Sequence, residues 1–234
     1  MSAFGKALIA GVMIVALSIG LVAVAEAQPP IRIGAALAQT GGSAALGQTV
    51  LRGYQLCVKH MNDKGGVLGR KLELVVYDDG SDYATAVRLY ERLITQDKVD
   101  LVLGPTGSPW ADAVADVTEK HKMPIVAPGA AATSIYRKGR KFIFSTNPPV
   151  AVSLEGFLDL AAKKGLRTVA LIGGDGIFGR AVTQGAIELA KKKGLQVVSV
   201  DAYPQGTTDF STILTKVRAA NQPRFPTRPW SQRT

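Results

Sequence analysis

From Ile31 the chain alternates short apolar runs with longer segments whose apolar residues recur every three or four positions. The short runs have the length of strands, and the longer ones have the period of amphipathic helices. Strands are predicted at Ile31–Leu37, Lys71–Tyr77, Val99–Leu103, Pro124–Ala127, Phe142–Ser145, Val169–Ile172 and Gln196–Val200. Helices are predicted at Gly47–Met61, Tyr83–Gln96, Ala111–His121, Ala151–Lys164, Phe178–Lys192 and Phe210–Ala220. Strands alternating with helices of this length imply a doubly wound, parallel α/β sheet. Val99, Leu101, Val102 and Leu103 form a short apolar run around Asp100, read as a strand with both faces covered. Ser81-Asp82 and Asp209 stand where helix N-caps belong, and Gly165 and Gly194 follow Lys-rich helix ends. The pair Pro148-Pro149, after Thr146-Asn147, predicts a stiff crossing between two lobes. The expected division is therefore residues 28–146 for a first lobe and 147–221 for a partial second one.

The two ends break the pattern. Lys6 precedes an apolar run from Ala7 to Val24, followed by Ala25-Glu26-Ala27. A charged start, an apolar stretch and a small-x-small site predict a secretory signal peptide over residues 1–27, cleaved before Gln28. A membrane anchor is the alternative, since the run is just long enough to span a bilayer. No Arg-Arg pair precedes it, which argues against twin-arginine export. After Asn221 an apolar strand should follow. Instead Gln222–Thr234 holds three prolines and three arginines, unsuited to a central ladder. Residues 222–234 are expected to be a disordered tail, and the chain to be truncated or frame-shifted there.

A 234-residue chain that is 47% hydrophobic has ample material for a core. The single cysteine, Cys57, excludes an internal disulfide and, inside a predicted helix, is expected to be a buried structural thiol. His60 and His121 are the only histidines, both near predicted helix ends. A metal site or a Ser-His-Asp triad has little to draw on, so no catalytic or metal residues are assigned and no enzyme is expected. Formal net charge is +10. The cations cluster at Lys163-Lys164, Lys191–Lys193 and Arg137–Lys141 without interleaved aromatics, which indicates a solvated basic face and not a nucleic-acid groove. Weak adhesion to anionic lipid headgroups is compatible with such a face.

Candidate binding chemistry sits first in the loop Gly104–Pro109. In open α/β sheets ligands bind at the carboxyl ends of strands, and this loop offers the hydroxyls of Thr106 and Ser108 beside Gly107. A second motif, Gly174-Asp175-Gly176-Ile177-Phe178-Gly179, satisfies G-x-G-x-x-G between a predicted strand and helix, with Asp201 after the next strand. That spacing describes a dinucleotide-binding turn, and hence a dinucleotide-dependent enzyme as an alternative. Its mid-chain position and the export signal argue against it.

The run Asn62–Leu74 (NDKGGVLGRKLEL), leading to Tyr77-Asp78-Asp79, resembles the exported type I solute-binding proteins of ABC transporters, in particular the leucine/isoleucine/valine class. Gly34–Gly53, Val99–Ser108 and Thr208–Asn221 agree, so the resemblance covers about residues 31 to 221. It implies a type I periplasmic binding protein fold: two lobes joined by a hinge and closing on an amino acid or similar small polar ligand, without a cofactor. It also implies a periplasmic location and an inner-membrane permease as partner. A zwitterionic ligand needs hydroxyls and N–H groups at its carboxylate, and carbonyls or a carboxylate at its ammonium. The resemblance assigns the carboxylate to Ser108 and makes Pro128–Ser134 the second ligand loop, including Gly129, Ala130 and Ala131. Ala131 stands where the family carries Thr or Ser, so Thr133 or Ser134 would substitute. Leu46 stands where some members place a Tyr, and Phe178 aligns with a second-lobe aromatic. The segment expected to be missing would supply the acid that meets the ammonium, so a non-binding remnant is the other reading of this chain.

Overall fold

The computed structural model describes residues 28–220, so the expected signal peptide and tail lie outside the described residues. Among these residues seven strands and six helices alternate, except that β5 follows β4 with no α-helix between: β1 (Ile31–Leu37), α1 (Ala44–Asp63), β2 (Leu72–Asp78), α2 (Tyr83–Thr95), β3 (Leu101–Leu103), α3 (Ser108–Lys120), β4 (Ile125–Val126), β5 (Ile143–Phe144), α4 (Glu155–Lys163), β6 (Thr168–Gly174), α5 (Ile177–Lys192), β7 (Gln196–Tyr203) and α6 (Ser211–Ala220). Single 3-10 turns add Thr133–Ile135 and Val150–Val152. Strands pair in the order β2-β1-β3-β4-β5 in one sheet and β6-β7 in another. All pairings are parallel, with a register shift between Val169 and Ala170.

The first sheet buries one face under α2 and α3. Ala36, Val102, Ile125 and Ile143 meet Tyr90, Leu93, Val114 and Ala115 there. On the other face α1 covers β1, β2 and the carboxyl end of β3, where Ala35 and Leu37 pack with Val50, Leu51, Tyr54, Leu74, Val76 and Leu103. Over the rest of that face Leu101, Val126 and Phe144 remain exposed. This corrects the expectation that Val99–Leu103 is covered on both sides. β3 is the middle strand, but among the described residues no helix lies over Leu101.

Helix starts follow local chemistry. The Asp82 side chain accepts the Thr85 N–H at 2.7 Å and caps α2, and Asp209 accepts from Ser211 N–H at 2.8 Å ahead of α6. Gly165 and Gly194 take φ values of 77° and 72° just past the Lys-rich ends of α4 and α5. The predicted helix Ala151–Lys164 is instead a 3-10 turn followed by a shorter α4, because Pro148-Pro149 and the β-branched Val150 and Val152 favour extended or tight local backbone over a nucleating turn. Cys57 is exposed, contrary to the buried thiol expected from its apolar neighbours. The stripe of α1 that faces the sheet runs through Gly47, Val50, Leu51 and Tyr54, and Cys57 flanks it. His60 is exposed, while His121, at the end of α3, sets Nε2 2.9 Å from Glu91 Oε1.

Around β6 and β7 a second core gathers Leu158 and Ala161 of α4, Leu171 of β6, Ala186, Leu189 and Ala190 of α5, and Leu195. α5 also reaches back to the first sheet's core through Ile177 and Ala181. Its Gly185 lies against the Val150–Val152 turn so closely that a Cβ there would stand 2.1 Å from the Ala151 carbonyl oxygen.

Candidate functional site

The loops at the carboxyl ends of β1, β3 and β4 converge, and the missing side chains of two glycines let them do so. A Cβ on Gly104 would stand 2.4 Å from Ala127 Cα, and one on Gly129 would stand 2.6 Å from the Thr106 carbonyl oxygen. Four hydrogen bonds then tie the cluster. Ala38 N–H donates to Thr106 Oγ1 at 2.9 Å, and Ala132 N–H donates to Ser108 Oγ at 3.3 Å. The Tyr54 hydroxyl donates to Gly104 O at 2.8 Å, and the Tyr90 hydroxyl donates to Leu103 O at 2.5 Å. Burial pushes both phenols up, Tyr90 well above the ordinary tyrosine range, so both remain neutral donors at physiological pH.

Thr106 and Ser108 are 1% and 2% exposed. Each hydroxyl already accepts a backbone N–H and keeps one proton to donate. Ser108 opens α3, whose N-cap is Gly107 without a side-chain cap and whose first turn holds no acid. The first-turn N–H groups of Ser108 and Trp110, Pro109 having none, and the positive end of a 13-residue helix accompany the hydroxyls. That arrangement suits an oxyanion such as a carboxylate.

The other sequence candidates are scattered. Gly129 and Ala130 belong to the loop cluster, and Ala131 contributes its carbonyl to Val150 N–H at 3.1 Å. Thr133 and Ser134 follow Ala132, whose N–H meets Ser108, but do not share a cavity with it. They line a separate cavity of about 700 Å³ between the 3-10 turn and α5, with Arg137, Lys138 and Arg180. Phe178 is 46% exposed and faces a cavity of about 430 Å³ with Asp175, Val182, Tyr203 and Gln205. Pro109 of α3 lines the same cavity, which places it between the start of α3 and the turn after β6. Leu46, in the first turn of α1, is 55% exposed and lines neither cavity. Tyr203 was not among the sequence candidates. It occupies the last position of β7, where the rule that singled out Gly104–Pro109 also applies, but the expected strand stopped at Val200.

Packing explains the last glycine of the G-x-G-x-x-G motif, whereas a Cβ on Gly176 would meet nothing within 4 Å. A Cβ on Gly179 would stand 2.1 Å from Gly174 O, so this glycine seats α5 on the end of β6. Asp201 is turned to Lys216, 3.7 Å from its Nζ. Among the described residues no group of three or more His, Cys, Asp and Glu side chains is placed to hold a metal ion.

Two parallel α/β units, with a cavity lined by Pro109 on one side and by the loops after β6 and β7 on the other, define a two-lobed α/β scaffold. The chain belongs to the periplasmic binding protein family, which matches residues 30–222. It is 27% identical to the Leu/Ile/Val-binding protein of Escherichia coli (strain K12), over 93% of this chain and 58% of that protein. Among solved structures it is similar to an ABC-transporter solute-binding protein from Rhodopseudomonas palustris in complex with 3,4-dihydroxybenzoic acid. The TM-score is 0.72 and the identity 28%, covering 82% of this chain and 52% of that one. A branched-chain amino acid transporter substrate-binding protein from Streptococcus pneumoniae, in complex with isoleucine, gives a TM-score of 0.72 at 26% identity, with 81% and 54% covered. The chain thus spans about half the length of the relatives it matches.

Proposed function

We propose that this chain is the substrate-binding component of an ABC transporter. It holds an amino acid of the branched-chain type, or a similar small carboxylate, between residues 28–146 and 147–221. It acts in the periplasm once residues 1–27 are removed, and delivers its ligand to an inner-membrane permease. The observation that supports this reading is a cavity of about 430 Å³ lined by Phe178, Tyr203 and Pro109 of the first turn of α3, the turn that Ser108 opens. Its size lies within the usual range for small-molecule sites. A second reading, an aromatic carboxylate, is favoured by the two aromatic side chains in that cavity and by the dihydroxybenzoate complex of the Rhodopseudomonas relative.

Isothermal titration of the purified chain with leucine, isoleucine, valine, benzoate and 3,4-dihydroxybenzoate decides between them. Saturable binding of one group, weakened about tenfold or more in Ser108→Ala, is the expected result. Absence of binding to all five ligands defeats the proposal.

A further inference from the structure

Three buried side-chain polar atoms among the described residues lack a hydrogen-bond partner, and two of them belong together: Asp79 Oδ2 and Trp110 Nε1. Asp79 follows β2 and is 1% exposed. Its N–H donates to Leu37 O at 3.0 Å, its carbonyl accepts the Asp82 N–H at 3.0 Å, and its Oδ1 accepts the Ser81 N–H at 2.9 Å. Every polar group of this residue is therefore engaged except one carboxylate oxygen. Trp110 is the third residue of α3 and is 5% exposed, its ring set edge-on to Tyr83 at 4.7 Å between centroids. An indole N–H can only donate and an ionised carboxylate can only accept, so the two orphans are complementary. The indole faces the Asp79 carboxyl beyond a formed hydrogen bond and within reach to draw on it. Leaving both unpaired inside the protein is costly, and pairing them with each other would relieve both.

We infer that Asp79 is a positioning residue of the binding site: through the Trp110 indole it latches the first turn of α3, so that Ser108 presents its hydroxyl and N–H to the ligand. The inference rests on the reading of Gly104–Trp110 as a ligand loop. An anion seating on the start of α3 draws this turn toward the loop cluster and closes the latch, and the closed latch in turn tightens the grip on the anion. The latch depends on Asp79 being ionised. Asp78 and Asp82 on its own loop, and the neutral Tyr90 of α2, face it, and burial together with the two acids lifts its titration above the usual carboxylate range.

The test uses Trp110→Phe, which keeps the ring on Tyr83, together with Asp79→Asn and the double variant. All are checked for folding by circular dichroism. Leucine and 3,4-dihydroxybenzoate are the probes. Each single variant is expected to lose about tenfold in affinity, and the double variant no more than the weaker single one. Wild-type affinity is expected to fall as pH drops through the Asp79 titration, with a flat profile in Trp110→Phe. In 15N-labelled protein the Trp110 indole resonance, assigned from Trp110→Phe, is expected to move with pH and on ligand addition, and to stop moving with pH in Asp79→Asn. Additive losses in the double variant, or an indole resonance indifferent to pH, overturn the inference. If the wild type binds neither probe, the ligand-loop reading fails, and the indole titration still decides whether Asp79 and Trp110 are paired.

Discussion

The Ala38 backbone N–H donates to Thr106 Oγ1 at 2.9 Å, joining the loop after β1 to the loop after β3 across 68 residues of sequence. Thr106→Val keeps the shape and removes the acceptor, which leaves a buried N–H unpaired. A loss of about 1–3 kcal/mol is expected, read as a shift in the urea midpoint. Thr106→Ser keeps the acceptor and is expected to cost less. A larger loss in Thr106→Ser than in Thr106→Val would show that the methyl group, and not the hydroxyl, is what matters.

Gly185 presses α5 onto the Val150–Val152 turn. In Gly185→Ala the new Cβ would lie 2.1 Å from the Ala151 carbonyl oxygen, so helix or turn must move. A destabilisation of about 1–3 kcal/mol is expected. Gly53, in the middle of α1, provides the contrast, since nothing lies within 4 Å of the Cβ it would gain. Gly53→Ala is expected to stabilise by about 0.5–1 kcal/mol, seen as a higher urea midpoint.

Arg140 links α3 to the approach to β5, with Nη1 2.6 Å from Asp112 Oδ1 and Nη2 2.8 Å from Asp116 Oδ1. Burial pushes the Asp112 carboxyl up, but hydrogen bonds and attraction from Lys138 and Arg140 outweigh it and hold the group below its ordinary value. A carboxyl depressed in the folded state contributes stability above its unfolded pKa, near 4, and loses it as pH falls through the lower native value. The thermal midpoint of the wild type is expected to fall more steeply between about pH 5 and 3 than that of Asp112→Asn. At neutral pH that variant is expected to be less stable by about 1–3 kcal/mol, because Arg140 loses one of its two partners. Parallel pH profiles would remove Asp112 from the account of acid sensitivity.

The exposed Cys57 gives a chemical check on the packing of α1. One thiol per chain is expected to react with Ellman's reagent in native buffer, at a rate little changed by denaturant. Cys57→Ser is expected to shift stability by no more than about 0.5 kcal/mol. A thiol that reacts only after unfolding would mean that α1 is rotated against the sheet.

Residue order alone determined the succession of strands and helices, the bounds of β1 and the start of α2 to the residue, and the loop that holds Thr106, though not that the following helix already begins at Ser108. These depend on local causes: the period of apolar residues, an Asp at a cap, and glycines and prolines after a strand. Tertiary structure decided what depends on neighbours distant in sequence. Leu101 and Cys57 carry the apolar signature of buried positions, yet lie exposed because no element among the described residues covers one and the sheet-facing stripe of α1 passes beside the other. Thr133 and Ser108 look equivalent as loop hydroxyls, but the turn at Thr133–Ile135 sends one toward α5 while Ala132 N–H holds the other at the start of α3. Tyr203 meets Phe178 at one cavity only because β7 lies parallel to β6 and carries its last residue to the same edge. Hydrophobic period records which face of an element turns inward, and it carries no information about what arrives to meet that face.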